Sequence, residues 1–259
     1  MCPRLFHIYG PLWIQSYGVM IAIGFLVFLC LTYTHPVRKK LISGELYLNT
    51  LFVGLVAGIV GGRLLFVVWE WRNFVGQWME IFYPWIGGFM ILGSIGAVLL
   101  VVPVYLKKHN VPILPLFDMA VVYAPLMQSI ARLGCFFAGC CYGASAPSWL
   151  PWAVRFSDSS GFAPLGIWLH PSQIYSSLTL LVIFLILRFV AYPARKHHGQ
   201  VLFLYVMLAS AERFTTDFFR GDRDALMYGI SQIQLLSCVL FIISLGAFFW
   251  VSYRSNNVT

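Results

Sequence analysis

Residues 112–143 read PILPLFDMAVVYAPLMQSIARLGCFFAGCCYG. The first twenty positions are mainly apolar, which is the length a helix needs to cross a bilayer, about 20 residues. Arg132 ends that run. Gly134, Gly139 and Gly143 follow it, interleaved with Cys135, Cys140 and Cys141. An arginine at a membrane edge, leading into a glycine-rich turn, can hold an anion with both side chain and backbone.

The composition outside this stretch agrees with a membrane setting. The 259-residue chain is 60% hydrophobic and only 10% charged, with a mean hydropathy of +0.81. A soluble protein carries about 25% charged residues. The chain therefore reads as an all-α integral membrane protein, one polytopic membrane domain over residues 1–259. About seven runs are long enough to span: 13–34, 48–68, 87–106, 112–131, 172–192, 200–219 and 230–252. The first reads as a retained helix, because no small-residue cleavage site follows it. Tryptophans and tyrosines crowd the run ends, as interfacial belts do. The long connection 135–169, rich in Gly, Pro, Ser and Trp, reads as a small external cap between the fourth and fifth helices.

The net charge of +8 is not a nucleic-acid footprint, because the basic residues sit in short clusters between apolar runs. Arg38-Lys39-Lys40, Lys107-Lys108, Arg188, Arg195, Lys196 and Arg254 fall on one side. By the positive-inside rule that side is cytoplasmic. The N-terminus and the 135–169 loop are then outside, and the C-terminus inside.

Three arginines lie in the outer half of a run or at its outer end: Arg63, Arg132 and Arg213. Each costs about 2.5–3.5 kcal/mol at a helix centre unless satisfied. With this orientation all three fall in the outer half of the bilayer, and Arg220 lies one to two turns beyond Arg213. Asp217 stands four residues after Arg213, so a local ion pair is available. Pairing with Asp217, Glu212 and backbone carbonyls is the structural reading; an anionic ligand is the functional one. Gly87 and Gly88 open the third run at the same depth, and Tyr17 lies near the outer end of the first. His170-Pro171-Ser172-Gln173-Ile174-Tyr175 opens the fifth, where Pro and Ser suit a helix start. A helix N-terminus there favours phosphate, and His170 is either a cap or a participant. The occupant that suits such a site is a phospholipid head group.

In order along the chain, Gly10-Pro11, Gln15-Ser16-Tyr17-Gly18, Gly61-Gly62-Arg63, Trp85-Ile86-Gly87-Gly88, Arg132-Leu133-Gly134, His170 to Tyr175, Arg213, Asp217 to Arg220, Ser231 and Gln234 resemble the motifs of bacterial phosphatidylglycerol–prolipoprotein diacylglyceryl transferases. The resemblance implies a seven-helix inner-membrane enzyme that moves a diacylglyceryl group from phosphatidylglycerol to the lipobox cysteine of a prolipoprotein signal peptide. A thioether forms and glycerol phosphate leaves. It implies Arg132 and Arg213 as the grip on the lipid phosphate and Tyr17 as a functional tyrosine. Arg63, Gly87, Gly88, Gly134, Ser172, Gln173, Tyr175, Asp217 and Arg220 fall on its substrate-binding motifs, and no metal or organic cofactor is implied.

The chain departs from that pattern at several polar positions. Leu92 stands where the family has a histidine, Ile86 and Ser176 replace acids, and Cys135, Ala138 and Cys140 replace Asn and Glu of the signature. His170 or Tyr17 can then assist the incoming thiol. A paralogue with another acceptor and a non-catalytic lipid binder are the alternatives. The cysteines themselves have three readings. Cys135 can pair with Cys140 or Cys141, all three can pack as small apolar groups, or they can bind a metal for which no fourth ligand is near in sequence.

Overall fold

The computed structural model describes residues 4–9, 12–76, 78–82, 88–159, 161–223, 225–227 and 229–256. The helices are α1 (Ser16–Thr34), α2 (Pro36–Leu41), α3 (Gly44–Trp69), α4 (Ile91–Lys108), α5 (Ile113–Ala138), α6 (Ser172–Leu185), α7 (Tyr192–Ala194), α8 (Gln200–Asp217) and α9 (Gln232–Asn256). A π-helical turn, Ile186–Ala191, joins α6 to α7. Two short 3₁₀ helices, Trp71–Phe74 and Trp78–Phe82, follow α3, and the described residues also form three two-stranded antiparallel pairs: β1 (Arg4–Tyr9) with β2 (Leu12–Gln15), β3 (Val154–Arg155) with β4 (Trp168–Leu169), and β5 (Ala225–Met227) with β6 (Ile230–Ser231). The all-α membrane class is what forms.

Among the described residues, six helical segments are long and apolar enough to cross a membrane: α1, α3, α4, α5, Ser172–Ala194 and the Gln232–Tyr253 part of α9. The run 200–219 forms α8, but Glu212, Arg213 and Asp217 crowd its second half. Three boundaries moved. The first run opens in β2, where Trp13 pairs with His7 and their rings lie 4.6 Å apart. The third run becomes helical only at Ile91. The fourth continues past Arg132 to Ala138, so the cap starts at Gly139 rather than Cys135.

The chain forms two compact units, residues 33–116 and residues 1–32 with 117–259. In the smaller unit α3 and α4 run antiparallel along a seam of small residues. Gly54 faces Val102, Gly58 faces Val98, and a Cβ at Gly61 would come within 2.3 Å of the Ala97 Cβ. The glycines before Arg63 therefore serve close helix packing.

In the larger unit buried polar groups tie the helices together. Ser129 of α5 donates to the Ser177 carbonyl of α6 at 2.8 Å, and Ser177 donates back to the Ser129 carbonyl at 3.0 Å. Gln128 donates to the Tyr205 hydroxyl of α8 at 2.8 Å. Asp118 accepts from the amides of Gly199 and Leu202 at 2.6 and 2.8 Å, capping the start of α8 from another helix. Ser231 and Gln234 form a reciprocal capping box at the start of α9. The cap between α5 and α6 has its own small core of Phe156, Ala163 and Leu169, flanked by Tyr142 and Val154.

Candidate functional site

Gly139 ends α5 in the left-handed region, with φ of 72°. The Cys140 amide then reaches back to the Cys135 carbonyl at 3.1 Å and the Gly139 amide to Phe136 at 3.3 Å. This is the glycine-terminated helix end known as a Schellman motif. Cys141 follows with a φ of 55°. Residues 142–146 are next held between two other segments. The Ala144 amide donates to Phe219 and the Gly221 amide to Tyr142 on one side, while the His170 amide donates to Ala144 on the other. Gly143 must be glycine, because a Cβ there would lie 2.0 Å from the His170 carbonyl oxygen.

This clamp brings the end of α5, the start of α6 and the end of α8 to one cleft. Its lining residues are Arg132, Cys141, Ser172, Gln173, Ser176, Arg213, Thr216 and Arg220. Ser172 Oγ donates to the Cys141 carbonyl and Gln173 Nε2 to the Cys140 carbonyl, each at 2.9 Å. Gln173 Oε1 is buried and has no hydrogen-bond partner among the described residues. Among the same residues, neither Arg132 nor Arg213 makes a hydrogen bond or ion pair, whereas Arg220 is held by Asp222 at 2.9 and 2.8 Å. The acids are spent elsewhere. Glu212 accepts from Ser176 and Thr216. Asp217 accepts from Ser231 at 2.6 Å, so the available pair with Arg213 does not form. The cleft thus presents three cations, a buried amide oxygen and hydroxyls, a set suited to an anion carrying O–H groups.

The expected residues divide accordingly. Arg132, Arg213, Arg220, Ser172 and Gln173 meet in the cleft. Cys141, Ser176 and Thr216 belong to it as well, although the sequence did not single them out for it. Helical spacing carried part of that signal: Ser172 and Ser176 are four apart on α6, and Arg213 and Thr216 three apart on α8. His170 is half-buried beside the cleft, its Nδ1 3.2 Å from the Tyr175 hydroxyl and its ring against Phe219. Tyr175 also accepts from Trp152 at 2.8 Å. Gly134 is the contact of α5 with α1, since a Cβ there would crowd Met20 and the Tyr17 backbone. Tyr17 itself is 40% exposed. Arg63, in the other unit, donates to the carbonyls of Glu80, Ile81 and Gly88, which is the structural reading of that arginine. Gly87 lies outside the described residues. A larger groove between α8 and α9, about 390 Å³ and lined by Ser210, Ala211, Phe214, Phe241 and Ile242 among others, is apolar.

The thiols shift one another. The adjacent thiols of Cys135 and Cys140, then the fields of Arg220 and Arg132, hold Cys141 well below the usual thiol range despite its burial. Cys140 is pushed up by the same bonds to Cys135 and Cys141 and by burial. All three are free cysteines, so the pairing expected as one reading is not formed.

The sequence profile of the family described as prolipoprotein diacylglyceryl transferase matches residues 3–250. The chain is 37% identical over 248 residues to the phosphatidylglycerol–prolipoprotein diacylglyceryl transferase of Clostridium tetani, covering 96% of both chains. It is 32% identical over 256 residues to that of Dechloromonas aromatica, covering 96% of this chain and 95% of the relative. A second enzyme so named, from Clostridium perfringens, is 31% identical over 229 residues, 88% of each. A cleft of converging arginines inside an apolar helical protein, together with similarity that runs almost end to end, assigns this chain to the prolipoprotein diacylglyceryl transferase family.

Proposed function

We propose that this transferase moves the diacylglyceryl group of phosphatidylglycerol to the lipobox cysteine of prolipoprotein signal peptides. The thiol sulfur attacks the glyceryl carbon, a C–S bond forms, the C–O bond to phosphate breaks, the S–H bond breaks with its proton ending on the departing phosphate, and glycerol phosphate leaves. The observation that supports this reading most is the meeting of Arg132 from α5 with Arg213 and Arg220 from the end of α8 and the turn after it, around a buried amide oxygen. Arg132 and Arg213 grip the phosphate and offset its growing charge as it departs, the kind of preorganised field that dominates such steps. Gln173 Oε1 accepts from a head-group hydroxyl. The incoming thiol, ordinarily near pKa 8.5, ionises more readily in the same field. The apolar groove beside α8 suits an acyl chain. The enzyme sits in the bacterial inner membrane with its N-terminus outside, its C-terminus cytoplasmic and the cleft at the outer leaflet.

Complementation of a strain depleted of its own transferase tests the reading, with thioether lipidation followed by mass shift. Transfer is expected from the intact chain. Arg132→Ala or Arg213→Ala lowers the rate about 100- to 1000-fold, and lysine restores little of it because it lacks the planar fork. Full activity in both alanine variants overturns the assignment. Lipid binding without transfer by the intact chain makes it a binder instead.

A further inference from the structure

We propose that Cys135, Cys140 and Cys141 form a binding site for a soft, thiophilic metal ion, with Cu(I) as the best match. Their three Sγ atoms lie within 4.8 Å of one another. A planar three-sulfur site with bonds of about 2.3 Å needs sulfurs about 4.0 Å apart, so small side-chain rotations close it. The backbone already sets the approach. The helix end at Gly139 folds Cys140 back over Cys135, the place where the third-last helical residue and the second residue beyond the cap normally touch. Cys141 is then turned inward by its positive φ, an uncommon conformation for a residue with a side chain. Ser172 and Gln173 pin the carbonyls of Cys141 and Cys140, which fixes two of the three ligands against α6.

The donor set selects the ion. Thiolates prefer soft ions such as Cu(I) and zinc. Zinc wants four ligands, and no further His, Cys, Asp or Glu joins the three among the described residues. Three-coordinate Cu(I) fits without a fourth. On binding, each thiol that still carries a proton loses it to the buffer, and three Cu–S bonds form with copper remaining Cu(I). The resulting site is anionic, and Arg132, Arg213 and Arg220 line the same cleft as Cys141 to offset that charge. The assignment does not depend on lipid transfer.

Full-length protein in detergent, reduced and handled without oxygen, is titrated with Cu(I) against bicinchoninate as competing chelator. One Cu(I) per chain is expected for the intact chain, and the same for a Cys2→Ser, Cys30→Ser, Cys238→Ser variant that keeps only the cluster. A Cys135→Ser, Cys140→Ser, Cys141→Ser variant is expected to bind none above background. Equal binding by that variant, or no binding by the one that keeps the cluster, overturns the site. X-ray absorption of copper-loaded intact protein gives an answer that needs no variant: three sulfur ligands support the proposal, and a shell of nitrogen or oxygen, or only two sulfurs, refutes it.

Discussion

Cys141 is pushed toward the thiolate by two neighbouring thiols first and by Arg220 and Arg132 second, and Cys140 is pushed the opposite way. Only the thiolate alkylates. In the folded protein, iodoacetamide labelling of Cys141 should reach half its maximum rate below about pH 8.5, the ordinary thiol value, and that of Cys140 above it. Denaturing the protein should bring the two together. Peptide mass spectrometry after timed labelling reads both, and matching profiles in the folded state would remove the proposed difference. Arg132 and Arg213 were legible from sequence because a guanidinium in an apolar run must be satisfied. That neither finds a protein partner among the described residues was not. Asp217 stands at the right spacing for Arg213, yet Ser231 takes its carboxylate. Arg63 looked equal to the other two, but carbonyls of its own unit occupy its guanidinium. The place of Cys141 in the arginine cleft stayed obscure because it depends on a backbone dihedral that spacing does not encode.

The clamp around residues 142–146 makes a demand on its segments that one methyl group tests. Gly143→Ala sets a Cβ against the His170 carbonyl, which is backbone and cannot swing aside. Such crowding costs about 1–3 kcal/mol. The cap should become a faster target for limited proteolysis, and transfer should fall because Cys141 and Arg220 lose their shared frame. An unchanged digestion rate would argue that the clamp yields easily. At the other end of the unit, Asp118 is 1% exposed and caps α8 from α5. Asp118→Ala should lower stability by about 0.5–2 kcal/mol, the range for a lost helix cap, seen as a lower Tm in detergent. Asn retains an acceptor and should recover part of it. Helices were the readable part of this chain, since a twenty-residue apolar run has few other fates. The β pairs and the helix ends were not readable. β3 and β4 contain two residues each, too short for an alternating pattern, and the extension of α5 past Arg132 is decided by Gly139.

Over the whole chain, polarity is unevenly shared. Six segments could enter a bilayer on their own composition, while α8 carries Glu212, Arg213 and Asp217 in its second half. Its polar face is answered inside the protein: Ser176 of α6 meets Glu212, and Ser231 beside α9 meets Asp217. Charged residues weigh heavily against insertion of a lone helix. In a glycosylation-mapping assay, α8 alone should stay largely outside the bilayer, and α8 followed by α9 should insert efficiently. Equal insertion of both would show that α8 needs no companion. The timing of synthesis follows from the same hydrogen bond. Ser231 leaves the ribosome well after Arg213, so chains stalled before α9 emerges should leave α8 crosslinkable to the translocon, and chains that include α9 should release it to lipid.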